Sequence, residues 1–186
     1  MIKEADKIMN QFDGFTDGVR FLMLTHRSKE GGKNRDRKQT YKKFSRNEKE
    51  FKEIVIEYLE IISKSNIPYR IYSSVNKRNV NKAIREFKRL QLDADYDECT
   101  SDFYFDVKNR WISSMMRPSS REDTNFLIDL DEGEDVDKCL NRLVHITRNY
   151  FKYQTKNGWH IIVQPFDPRL MEGYDIKKDG LLLLKY

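Results

Sequence analysis

Asn125-Phe126-Leu127-Ile128-Asp129-Leu130-Asp131 is the stretch on which the fold of this chain turns. It has the length of a buried strand and stays apolar until it ends in two carboxylates one residue apart. Side chains alternate along a strand, so Asp129 and Asp131 leave one face while Phe126, Ile128 and Leu130 pack the other. Like charges that close repel. A bound Mg²⁺ or Mn²⁺ removes that cost, because hard cations take oxygen ligands. The plainer alternative puts the pair just past the strand end, in water, with Glu132, Glu134 and Asp135 continuing an acidic loop.

Working outward, Val136, Cys139, Leu140, Leu143, Val144 and Thr147 recur at helical spacing, and Trp159-His160-Ile161-Ile162-Val163 reads as the next strand. The turn Thr155-Lys156-Asn157-Gly158 leads into it, a basic glycine turn suited to cradling phosphate. Two strands joined through a helix are commonly neighbours, which predicts His160 beside the Asp129/Asp131 pair. A lone strand histidine is otherwise a hydrogen-bonded core residue. Beyond it, Tyr174-Asp175-Ile176 and Leu181–Lys185 flank Lys-Lys-Asp-Gly, the signature of a hairpin.

Upstream, Ile8, Met9 and Phe12 suggest a short first helix over 3–12, and Arg20–Thr25 has the length of a strand. Residues 27–45 are basic and contain Gly31-Gly32, so they read as a loop. Ser45 with Glu48 forms a capping box before a helix whose stripe is Phe51, Ile54, Val55, Tyr58, Leu59 and Ile62. Tyr69–Val75 reads as a strand, followed by a helix with Val80, Ile84, Phe87 and Gln91 a turn apart. Phe103, Val107, Trp111 and Met115 suit another helix, ended by Pro118; this Met/aromatic stripe reads as core before it reads as a partner surface. With no repeat or linker, the expectation is one α/β (α+β) domain over 1–186, a mixed sheet with flanking helices.

The totals narrow the classes. The net charge of +5 is concentrated: between Arg27 and Lys49 ten basic residues meet only Glu30, Asp36 and Glu48, and the remaining 25 basic and 27 acidic residues nearly cancel. Such a tract suits a polyanion, since neutralising phosphates releases counterions. Arg35, Arg37, Lys38, Lys42 and Lys43 are the candidate nucleic-acid contacts; a merely solvated loop is the alternative. No apolar run is long enough to span a membrane, and residues 1–6 do not open a secretory signal. Cys99 and Cys139 are the only cysteines and form no zinc pattern, so reduced thiols and a cytoplasmic location are expected.

These motifs together resemble the archaeo-eukaryotic primase superfamily. That family carries a hydrophobic strand ending in Asp-x-Asp, a helix, a strand opening with small-x-His, and a third acid on a hydrophobic-Asp strand. The matching stretches are Phe126–Asp131, Gly158-Trp159-His160 and Tyr174-Asp175. Phe166-Asp167-Pro168-Arg169, the closing Leu-Leu-Lys, and Ile71–Asn76 with its following helix also look similar. The resemblance covers roughly 69–186, and 1–68 only in outline. The zinc module and helical accessory domain common in relatives have no counterpart here.

The resemblance implies a primase/polymerase-like nucleotidyltransferase that adds nucleotides to a nucleic acid. It implies Asp129, Asp131 and Asp175 as holders of Mg²⁺ or Mn²⁺, with Asp179 and Asp167 as other choices for the third acid. It also implies His160, Lys156 and Lys185 on a nucleoside triphosphate, with Lys177 or Lys178 as further cations. A helper protein, such as a helicase or accessory primase subunit, would be the partner. The principal rival is a catalytically inactive relative that binds nucleic acid or protein. A more distant one is a phosphoesterase with two His-x-Thr/Ser motifs, His26-Arg27-Ser28 and His145-Ile146-Thr147, although His145 falls within the expected helix.

Overall fold

Strand β4 (Phe126–Asp131) is the centre of the architecture, and its burial falls from Phe126 to an exposed Asp131. It lies between β6 (Gly158–Val163) and β7 (Asp175–Lys177), and β6 also pairs with β5 (Tyr150–Thr155). A second sheet has the order β2 (Tyr41–Ser45), β1 (Arg20–His26), β3 (Tyr69–Ser74) and β8 (Leu181–Lys185). The computed structural model describes residues 1–26, 39–97, 100–147 and 149–185. The class is α+β, as expected, but the strands divide between two sheets. Every pairing among the described residues is antiparallel.

The chain falls into two compact units, Met1–Asn76 with Thr124–Tyr186, and Lys77–Asp123. In the first, α1 (Ile2–Gln11) and α2 (Glu48–Ser63) bury Ile8, Phe12, Phe51, Val55 and Tyr58 with Leu22, Leu24 and Ile71 of one sheet. Leu127, Tyr153 and Ile162 of the other sheet join the same cluster. The opposite face of β4 and β6 (Phe126, Ile128, Leu130, Ile161 and Val163) packs on Cys139 and Leu143 of α6 (Val136–Leu143) and on Met171. The alternation read from 125–131 is therefore realised: both faces of β4 are covered until the strand runs out at its acidic end.

The second unit is helical: α3 (Val80–Tyr96), α4 (Thr100–Phe105) and α5 (Val107–Met116). Phe87 sits against Phe103 and Trp111, with ring centroids 5.3 and 5.7 Å away, and Met115 is buried. The Trp111/Met115 stripe is core. Among the described residues no helix is long and apolar enough to cross a membrane.

Several local expectations are corrected. Ser45 closes β2, and the cap of α2 is Asn47, whose side chain accepts from the Glu50 amide. Residues 41–45 are strand where a loop was expected. β5 was not foreseen, and it makes β4 and β6 antiparallel neighbours. Helix α6 ends at Leu143, leaving His145 exposed beyond it. β7 and β8 do not form a hairpin, because the chain between them crosses from one sheet to the other. Asn76, fully buried, holds that crossing. Its Nδ2 donates to the Asn125 carbonyl at 3.1 Å and to Asp179 Oδ1 at 3.2 Å, and its Oδ1 accepts from the Asn125 amide at 2.5 Å.

Candidate active site

Residues opposed in antiparallel register share a face. Tyr153, His160, Asp129 and Asp175 are successive register partners across β5, β6, β4 and β7, so four polar side chains form one row. The row on one side is Phe151, Ile162, Leu127 and Lys177; the row on the other is Thr155, Gly158 and Asp131. The face thus grades from apolar core through an ionisable row to a solvated rim. Its chemistry sits where the hydrophobic seal ends.

Gly158 lets the rim form. Its φ is +153°, and a Cβ there would come 1.9 Å from the Leu130 carbonyl oxygen. Only glycine permits the turn before β6 to lie this close to the acidic end of β4.

Within the ionisable row the contacts are direct. His160 Nε2 is 3.0 Å from Asp129 Oδ1, and His160 Nδ1 is 2.6 Å from the Tyr153 hydroxyl. With Nε2–H donating to the carboxylate, the tyrosine hydroxyl donates to Nδ1. Burial pushes the Tyr153 phenol well above its ordinary range, so it remains a donor. The His160 ring is buried and engaged at both nitrogens. Asp129 Oδ2 meets the ammonium of Lys177, which also lies 3.2 Å from Asp175 Oδ2. The His160 hydrogen bond, with help from Lys177, holds the Asp129 carboxyl far below the usual carboxylate range despite its partial burial.

A pocket of about 440 Å³ opens onto this row. Asp129, Asp131 and Asp179 supply its acids, and Arg70, Lys156 and Lys177 its cations. Tyr72, Leu181 and Leu183 give it an apolar wall. The volume and the mixture of polar groups on an apolar wall suit a small ligand.

The residues anticipated from sequence are only partly gathered here. Asp129, Asp131, His160 and Lys156 line the pocket, and Asp175 stands beside Asp129 through the register and Lys177. Lys185 does not line it: its ammonium pairs with Glu4 at 2.5 Å, in a neighbouring hollow. Asp167 is bound to Arg169 and lies outside. Lys42 and Lys43 alternate on β2, so they cannot serve one surface together. Lys42 is exposed, whereas Lys43 pairs with Glu57 of α2 at 2.5 Å. Arg35, Arg37 and Lys38 lie outside the described residues. Arg70, Tyr72 and Tyr153 were missed. The alternating aromatics of Tyr150-Phe151-Lys152-Tyr153 were the available signal for the last of them.

Among the described residues no three His, Cys, Asp or Glu side chains form a ready-made metal cage. The donor set nonetheless fits a hard cation. Asp129 and Asp175 converge on one positive centre, the Lys177 ammonium, and Asp131 follows Asp129 on the same face of β4. Mg²⁺ is commonly held by one or two carboxylates completed by substrate phosphates, and Asp129, Asp131 and Asp175 could hold it in that way. The two-histidine phosphoesterase arrangement gains no support, since His145 is in a turn beyond α6 and not on a strand facing His26. Comparison with protein-family models, with curated proteins and with solved structures yields no match.

Proposed function

We propose that this chain is a metal-dependent nucleotidyltransferase of the primase type, acting on a nucleoside triphosphate and a nucleic-acid 3′ end. The observation that carries the reading is the pairing of Asp129 with His160 in one register row, at the mouth of a pocket that also gathers Asp131, Lys156 and Arg70. In the reaction, the 3′-hydroxyl oxygen bonds to the α-phosphorus and the bond from that phosphorus to the bridging oxygen breaks. Pyrophosphate leaves, and the hydroxyl proton passes to solvent. Bound Mg²⁺ or Mn²⁺ would supply charge stabilisation on the attacking and leaving oxygens.

The chain's own residues orient and neutralise. Asp129 is fixed by His160, which Tyr153 holds in turn. Lys156 and Arg70 present positive charge to the polyphosphate. Tyr72, Leu181 and Leu183 offer an apolar wall to the rest of the nucleotide. His160 acts here by orienting Asp129, since its Nε2 is already committed to that carboxylate.

A second reading, a primase-fold binding module without turnover, has one observation in its favour: Asp129 is satisfied at both oxygens by His160 and Lys177. Calorimetry with a non-hydrolysable nucleoside triphosphate and Mn²⁺ tests the ligand assignment. Each component should strengthen binding of the other, and binding should be lost in Asp129→Ala. Equal binding by the variant would overturn this site.

A further inference from the structure

Lys177 occupies an unusual position for a surface lysine. β7 is only three residues long, and its alternation puts Asp175 and Lys177 on one face. Asp175 opposes Asp129, and Lys177 opposes Leu127. The lysine stem therefore runs beside the apolar row while its ammonium returns to both carboxylates. The side chain is 42% exposed and also lines the pocket, so the ammonium can leave without breaking core packing.

Building on the nucleotidyltransferase reading, we propose that Lys177 is the resident counter-cation of Asp129 and Asp175, and that a divalent metal enters by displacing its ammonium. Two neighbouring carboxylates need a positive charge between them. Lys177 provides one that is tethered and always present. Any metal must compete with it for the same oxygens. The displaced ammonium remains within the pocket, where a polyphosphate gives it a new anion. Metal and nucleotide then favour each other's binding, because the nucleotide stabilises the lysine in its displaced position and the metal frees the lysine for the nucleotide. Lys177 thereby suppresses metal loading in the absence of substrate.

The test is Mn²⁺ binding to the full chain, followed through the electron paramagnetic resonance signal of free Mn²⁺. Wild type, Lys177→Ala, Lys177→Gln and Asp129→Asn are compared, with and without a non-hydrolysable nucleoside triphosphate. Without nucleotide, both Lys177 variants should bind Mn²⁺ up to about fivefold more tightly than wild type, the range for removing a partly exposed ion-pair competitor. Their gain in Mn²⁺ affinity on adding nucleotide should be smaller than that of wild type. Unchanged or weaker Mn²⁺ binding by both variants, with binding still lost in Asp129→Asn, would overturn the displacement role and leave the nucleotidyltransferase reading standing. Mn²⁺ binding that survives in Asp129→Asn, or is absent from every protein with nucleotide present, would overturn both.

Discussion

Asp129 and His160 face each other as register partners on β4 and β6, with Nε2 3.0 Å from Oδ1. The backbone register sets this contact, so the imidazole and the carboxylate are brought together before any ligand arrives. Their separation in sequence is bridged by α6 and the β5–β6 hairpin. Tyr153, the next residue along the row, completes a tyrosine–histidine–aspartate chain whose outer end opens into the pocket.

Tyr153→Phe removes the hydroxyl that meets His160 Nδ1 and leaves the ring against Phe12, whose centroid is 4.8 Å away. A buried ring nitrogen without its partner costs about 1–3 kcal/mol, so the melting temperature should fall. His160→Ala should destabilise more, since it removes the donor to Asp129 Oδ1, leaving that carboxylate to Lys177 alone, and opens a cavity. Thermal denaturation of both variants checks the order. His160→Ala melting at the wild-type temperature would contradict the buried arrangement.

Gly158→Ala places a methyl group against the Leu130 carbonyl in a backbone conformation that favours glycine. Relief requires the turn to move away from β4, and a loss of about 3 kcal/mol or more is expected for such a backbone conflict. Denaturant unfolding measures it. Gly133→Ala, where a Cβ would meet nothing within 4 Å although φ is also positive, is the control and should cost less.

The pH dependence of stability follows from Asp129. Its carboxyl is held below the ordinary range in the folded state, so its stabilisation is complete above the unfolded value, about 4. That stabilisation is lost as pH falls from there through the lower folded value. The stability difference between wild type and Asp129→Asn should therefore shrink on acidification below about pH 4, and stay constant above pH 6. Unfolding curves at a series of pH values check this.

Lys42 and Lys43 give a test of the basic segment. Because they alternate on β2, and Lys43 is engaged by Glu57, only Lys42 is placed to contact a phosphate without breaking an ion pair. Lys42→Ala should lower the salt slope of nucleic-acid binding by about one counterion, and Lys43→Ala should leave it nearly unchanged. Equal effects would show that β2 does not present a single face to the ligand.

The strands that carry the site were legible because their patterns are local. Period-two burial over Phe126–Asp131, and a glycine turn before Trp159–Val163, require no knowledge of the rest of the chain. The joining of β4 to β6 was also legible, although its antiparallel sense was not: that depends on β5, whose Phe151-Lys152-Tyr153-Gln154 alternation is short and lies between the helix and the glycine turn. Residues 174–185 misled for a physical reason. Lys178-Asp179-Gly180 has the composition of a hairpin turn, but Asn76, about a hundred positions away, pins it as a crossing between sheets. Arg70 and Tyr72 reach the pocket from a different sheet, and nothing in their own neighbourhood announces that. Lys177 read as part of the Lys-Lys-Asp-Gly turn and as a further cation for a triphosphate; only the register places it opposite Leu127 and beside Asp129.

The central claim is nucleotidyl transfer at the Asp129/Asp131 site. The most direct measurement is incorporation of labelled nucleoside or deoxynucleoside triphosphates on a primed template with Mn²⁺ or Mg²⁺, with pyrophosphate release followed in parallel. Wild-type protein should extend the primer and release one pyrophosphate per nucleotide added. Asp129→Ala/Asp131→Ala, confirmed as folded, should lose this activity by at least about a hundredfold, as expected when groups that hold transition-state charge are removed. No incorporation by wild type with either metal and either class of nucleotide, or equal incorporation by the double variant, would contradict the account.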